Sequence, residues 1–157
     1  VVYAFDFNPR GGNLLLTGDP GLGKTFLSAC IARVVSEKGY SVVYDTAGHV
    51  FERFEARKFS REEDDRAAED VERILQCDLL ILDDLGTEMT TAFVQSALYE
   101  IVNTRLLGGK STIINTNLGV TELNQRYLQQ VSSRIEGEYQ VLIFFGEDIR
   151  RQKREMR

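Results

Sequence analysis

The sequence predicts a three-layer α/β domain built on a parallel sheet of about five strands. Two observations carry this expectation. Short runs that are apolar on nearly every residue alternate with longer stretches of helical periodicity, and glycines follow the apparent ends of several helical stretches. A strand with no polar face is buried on both sides, the sign of a parallel sheet covered by crossover helices.

The elements follow in order. Asn13 to Thr17 opens as an apolar strand, and a helical pattern occupies about 24 to 38, closed by Gly39. Ser41 to Asp45 reads as the second strand, with helices at about 46 to 58 and 67 to 76. The intervening Arg61 to Asp70, REEDDRAAED, is too charged to pack inside and reads as a solvated loop entering a helix. Leu79 to Asp83 is the third strand, and a helix over about 91 to 107 ends at Gly108 and Gly109. Thr112 to Thr116 and Gln140 to Phe145 complete the set.

The 157 residues suit one domain with its own core. A hydrophobic share of 43% beside 27% charged residues is that of a globular protein, and no apolar run approaches the ~20 residues that cross a bilayer. No signal-peptide pattern opens the chain, so a cytoplasmic location without membrane contact is expected. The start at Val1 suggests a C-terminal fragment whose partner-binding segment lies upstream. Cys30 and Cys77 lack the close Cys or His pairs of a zinc site and read as buried free thiols. Residues 150 to 157 carry a local +4, leaving −9 of the net −5 elsewhere. So acidic a body argues against a free-standing duplex-DNA binder and confines any nucleic-acid contact to a groove or an assembled channel.

The chemistry is most legible at Gly18, Asp19, Pro20, Gly21, Leu22, Gly23, Lys24 and Thr25, which match G-x-x-x-x-G-K-[ST] between an apolar strand and a helical pattern. The glycines let backbone N–H groups turn around phosphates, and the following helix points its positive end at them. Lys24 is expected to reach the β and γ phosphates of ATP, Thr25 to ligate Mg²⁺, and Phe26 to complete the nucleotide contact. Leu79 to Leu82 then deliver Asp83 and Asp84 to the C-terminal edge of the sheet, where open parallel sheets bind ligands. Asp83 is expected to hold Mg²⁺ directly or through water, and Asp84 to orient or deprotonate the attacking water.

With GDPGLGKT, LLILDDLG and STIINTNL in this order, the chain resembles AAA+ ATPases, and more narrowly the DnaC/DnaI helicase-loader and IstB transposition-helper group. The resemblance runs from Gly12 to about Arg151 and includes Arg126, Ser133, Arg134, Ile135 and the stretch Phe145 to Arg150. It implies that Asn117 is the sensor 1 residue, Arg134 a finger reaching the nucleotide of a neighbouring subunit, and Arg150 the sensor 2 arginine. It also implies self-association and a contact with single-stranded DNA near Arg53, Arg57, Lys58 and Phe59 and near a loop holding Thr91 and Phe93. Phe51, Phe54 and Phe93 equally suit a core by their spacing. His49, the single histidine, reads as a solvated or capping residue. Asp84 departs from the glutamate that many AAA+ members place there, which implies slow hydrolysis.

The resemblance implies, first, loading of a replicative DNA helicase, held through the upstream segment, to act on single-stranded DNA; its nearest rival is an IstB-type ATPase helper of a transposase. A nucleotide-gated binding module that hardly hydrolyses ATP is a third, because of Asp84. A small-molecule kinase lacks its arginine-rich lid and acceptor pocket, and a GTPase lacks N-K-x-D.

Overall fold

A computed structural model describes residues 12–60 and 65–146. The elements run β1 (Asn13–Gly18), α1 (Lys24–Glu37), β2 (Val42–Thr46), α2 (Ala47–Phe59), α3 (Asp65–Gln76) and β3 (Leu79–Leu85). They continue with α4 (Ala92–Leu107), β4 (Ser111–Thr116), α5 (Val120–Arg126), α6 (Gln129–Glu138) and β5 (Tyr139–Phe144). The five strands form one sheet in the order β2-β3-β4-β1-β5, and every pairing is parallel.

The pleat of the central strands sorts the core into two layers. Leu15, Leu80, Leu82 and Ile114 face Val50, Phe54, Ile74, Leu98 and Ile101 of α2, α3 and α4. Their strand neighbours Leu16, Leu79, Ile81 and Ile113 face the other way, onto Val35 and the partly buried Leu27 and Ile31 of α1. Burying each such side chain contributes about 1.5–3 kcal/mol, so alternate residues of one strand hold helices to both faces. Burial on both faces nevertheless fails for β2 and β5. They lie at the sheet edges, and Tyr44, Gln140 and Ile143 are exposed.

Two helices, α5 and α6, were not expected from the sequence. Each is short, and neither has a side-chain cap at its start, so packing of Leu123, Val131 and Ile135 into the core holds them. Gly39 (φ 88°) and Gly109 (φ 65°) take the left-handed form after α1 and α4 as expected, whereas Gly108 stays right-handed. Phe51 and Phe54 are core residues and the half-buried Phe93, in the first turn of α4 rather than in a loop, packs against that core, while Thr91, in extended backbone, is the N-cap at which the loop meets α4. Cys77 is buried, which pushes its thiol pKa up, while Cys30 is only half-buried, against expectation.

Arg105 is fully buried in α4 and, among the described residues, donates its hydrogen bonds to neutral acceptors. Its Nη1 reaches the carbonyls of Ile74, Leu75 and Cys77 at 3.0, 3.1 and 2.9 Å, Nη2 that of Ser111 at 2.7 Å, and Nε the Thr112 hydroxyl at 2.9 Å. It thereby caps the end of α3, whose last carbonyls have no partner within the helix. Among the described residues, no helix is long and apolar enough to cross a membrane.

Candidate functional site

The site is built where β1 turns into α1. Gly18 ends β1 at φ 139° so close to β5 that a Cβ there would lie 2.4 Å from the Phe144 carbonyl oxygen. Only glycine fits. Gly23 at φ 98° is the N-cap of α1 and offers no side-chain cap, so the first-turn N–H groups are without a partner inside the helix where Gly23 to Phe26 line the adjoining cavity. This is the geometry of an anion site.

That cavity, about 600 Å³, is lined by Pro20, Gly21, Gly23, Lys24, Thr25, Phe26, Ala29, Asp83, Asp84 and Asn117. Most of the residues singled out in the sequence therefore meet in one place. Lys24 is only 7% exposed, and its Nζ donates to the carbonyls of Gly18 at 2.5 Å and Asp19 at 2.8 Å. Its pKa is lowered by burial, against the opposing pull of Asp19, Asp84 and Asp83. Phe26 presents its ring to the cavity at 75% exposure. Gly18, Asp19 and the half-buried Leu22 stand outside the lining set, the first two holding Lys24 through their carbonyls.

Asp83 is buried at the end of β3 and gathers donors from every adjoining element. The Thr25 hydroxyl lies 3.3 Å from both of its oxygens, and Oδ1 accepts from Asn115 Nδ2 at 3.1 Å and from the Asp84 backbone N–H at 3.1 Å. Oδ2 accepts from the Tyr44 hydroxyl at 3.1 Å. Asn115, buried in β4, is bound in turn to Ser28 of α1. Burial and the Asp83 charge raise the Tyr44 phenol well above its ordinary range, so it is a neutral donor.

Asp84 points to solvent beside the cavity, with its backbone in the left-handed region at φ 55°. The cause lies in the register. Leu82 pairs with Ile114 and Leu85 with Thr116, so three steps along β3 pass two along β4. The extra residue is a bulge, which re-aims side chains at a strand end. It brings Asp83 and Asp84 to the same cavity, where a regular strand would alternate them.

The other expected residues sit elsewhere. Asn117 is exposed just beyond β4 and lines the cavity. Arg134 lies on α6 with its guanidinium 5.8 Å from the centre of the Tyr99 ring and does not line it. Arg150 falls outside the described residues. His49 is exposed, with its N–H donating to the Thr46 hydroxyl and its ring 3.1 Å from Asp45. On α2, Arg57 forms a two-pronged pair with Glu100 at 2.8 and 3.1 Å, and Arg53 lies between Asp45 and Asp70. Lys58 reaches over the rings of Phe93 at 5.2 Å and the exposed Phe59 at 5.7 Å, beside a cavity of about 470 Å³ between α2 and α4.

Sequence reading missed Tyr44, Ser28 and Asn115. An Asn directly after the apolar pair Ile113 and Ile114 of a strand was a usable signal. Nothing local marks Tyr44, whose contact depends on β2 pairing with β3 in the register Tyr44↔Ile81.

Comparison with known proteins decides the family. The family model described as IstB-like ATP binding protein matches residues 2–153. The chain belongs to this family. Among its relatives, an ATP-binding protein of insertion sequence IS1162 from Pseudomonas fluorescens is 29% identical over 106 residues, 68% of this chain and 44% of that protein. The replicative helicase loader DnaC of Escherichia coli K12 is 22% identical over 147 residues, 93% of this chain and 59% of that protein. A crystal structure of the DnaC helicase loader superposes with a TM-score of 0.77 at 25% identity, covering 92% of this chain and 84% of that one. This IstB-like chain therefore has the AAA+ P-loop fold, and it spans about half the length of the first curated relatives it matches.

Proposed function

We propose that the chain is the ATPase domain of a replicative-helicase loader, binding Mg-ATP in the α1 cavity and acting on single-stranded DNA. The observation that carries the reading is the convergence of an uncapped helix start, Lys24, Thr25, Asp83 and Asp84 on one cavity.

The residues present fit a nucleoside triphosphate. The first turn of α1 and the buried Lys24 ammonium suit phosphate oxygens, and the exposed Phe26 ring suits the less polar part of the nucleotide. They also fit Mg²⁺. Among the described residues no cluster of three or more His, Cys, Asp or Glu forms a metal cage, and Mg²⁺ ordinarily takes one or two protein oxygens plus phosphates and water. Thr25 and Asp83 would hold the ion, which when bound neutralises charge developing on the phosphates. Asp84 would orient or deprotonate the attacking water, and Asn117 would hold water near the γ phosphate. Arg134 does not line the cavity of its own chain, which accords with a role at the nucleotide of a neighbouring subunit. Arg150 stays the proposed sensor 2 residue.

Lys58, Phe59 and Phe93 supply the DNA contact. A base stacked on an exposed ring gains about 1–3 kcal/mol without sequence readout, and a lysine beside it suits the phosphates. The ion pairs of Arg53 and Arg57 leave those side chains less available. The helicase would be held by a region outside this chain. A second reading, an ATPase helper of a transposase, is favoured by the insertion-sequence relative and by the family model itself.

The test is ATP turnover with and without single-stranded DNA and the helicase, in wild type, Lys24→Ala and Arg134→Ala. The loader reading expects turnover to respond to DNA or helicase, Lys24→Ala to lose nucleotide binding, and Arg134→Ala to bind but not hydrolyse. Normal hydrolysis by Arg134→Ala together with a response to duplex DNA alone would put the transposition helper in its place.

A further inference from the structure

We infer that Tyr44 is a positioning residue for the metal carboxylate: its hydroxyl, reaching across from the edge strand β2, holds Asp83 Oδ2 in the orientation that receives Mg²⁺. The inference rests on the proposed nucleotide site and deepens it.

Three observations carry it. First, the two oxygens of Asp83 are held from opposite sides of β3. Oδ1 is held by Asn115 of β4 and by the Asp84 backbone, whereas among the described residues Oδ2 has only Tyr44 and the long, shared bond from Thr25. Second, the Thr25 hydroxyl is itself an expected metal ligand. Once its oxygen turns to a cation, Tyr44 is the one hydrogen-bond donor to Oδ2 that remains among the described residues. Third, the phenol stands where it senses both halves of the site, 3.1 Å from Asp83 Oδ2 and 3.4 Å from the Thr25 backbone oxygen.

The chemistry suits the position. A neutral phenol fixes one lone pair of a carboxylate and adds no charge to compete with a cation, as a Lys or Arg would. It is also rigid, with the oxygen at the end of a ring anchored in a paired strand. Partners that orient a metal-binding carboxylate typically contribute 10- to 100-fold to metal affinity. Because β2 is an edge strand and Tyr44 is 36% exposed, its ring is also within reach of any molecule that docks against that edge.

The experiment is Tyr44→Phe, which removes one oxygen and keeps the ring. Binding of a fluorescent ATP analogue is titrated with Mg²⁺ for wild type, Tyr44→Phe and Lys24→Ala, and repeated in EDTA. The expected result is a Mg²⁺ midpoint about tenfold higher in Tyr44→Phe, with EDTA affinity and melting temperature close to those of wild type. A purely structural tyrosine would instead lower the melting temperature and weaken binding in EDTA equally. A midpoint unchanged by Tyr44→Phe beside a Mg²⁺-dependent wild type overturns the inference and leaves the nucleotide site standing, as does an equal loss of affinity with and without metal. Wild type that binds no nucleotide, or that binds it as tightly as Lys24→Ala does, overturns the nucleotide site and the inference with it.

Discussion

Replacing Asp84 separates the backbone requirement of the bulge from the chemistry of the carboxylate. Its φ of 55° is the only positive value among the described non-glycine residues. A left-handed conformation costs an ordinary L-residue roughly 1–2 kcal/mol, glycine almost nothing, and Asp or Asn less because their short polar groups bond locally. The insertion between Leu82 and Leu85 is enforced by pairing on both sides of β3, so a new residue at 84 inherits the conformation. Asp84→Gly therefore relieves the cost and Asp84→Ala bears it in full. The two variants should differ by about 1–2 kcal/mol, with Asp84→Asn near wild type. At this chain length that difference corresponds to about 2–8 °C in melting temperature. The assay is thermal or urea unfolding of the nucleotide-free protein, with ATP turnover measured in parallel. All three variants should lose turnover, while stability falls in the order Gly, Asn, Ala. An Ala variant that melts with or above the Gly variant would refute the strained bulge, and full turnover in Asp84→Asn would refute its role toward water.

Further expectations concern the frame and the DNA surface. Arg105→Met removes the donors of four backbone carbonyls and one hydroxyl in the core, and should cost about 3–5 kcal/mol in urea unfolding while nucleotide affinity per folded molecule stays unchanged. Asp78 accepts from the Ser41 N–H at 2.9 Å and hydroxyl at 3.0 Å and pairs with Lys110 at 3.7 Å, and the Ser41 backbone bond foremost lowers its pKa. Its stabilisation is thus present above the unfolded value near 3.9 and is lost as pH falls through the lower folded value, so Asp78→Asn should flatten acid unfolding below about pH 4. Lys58→Ala should weaken single-stranded DNA binding and reduce the slope of log affinity against log salt by about 0.7. Arg57→Ala, whose partner is Glu100, should leave that slope unchanged, as fluorescence titrations over a salt series would show.

The sequence by itself determined the parallel sheet, four of its helices and the phosphate turn. These rest on local signals: strands without a polar face, helical periodicity, and glycines where a backbone must approach phosphate. The order of GDPGLGKT, LLILDDLG and STIINTNL was enough to point to the family. Only the tertiary structure decided which strands are edges, since the order β2-β3-β4-β1-β5 leaves no local trace and the edge strands are as apolar in sequence as the inner ones. It alone placed α5 and α6, whose short stripes become helical when Leu123, Val131 and Ile135 have a core to enter. The surroundings of Asp83 were equally hidden. Tyr44, Asn115 and Ser28 converge on that network from two strands and a helix, 39, 32 and 55 residues from Asp83 in the chain, because parallel pairing sets their register. The bulge at Asp84 is of the same kind. A one-residue mismatch exists only between two paired strands, so no single segment can announce it.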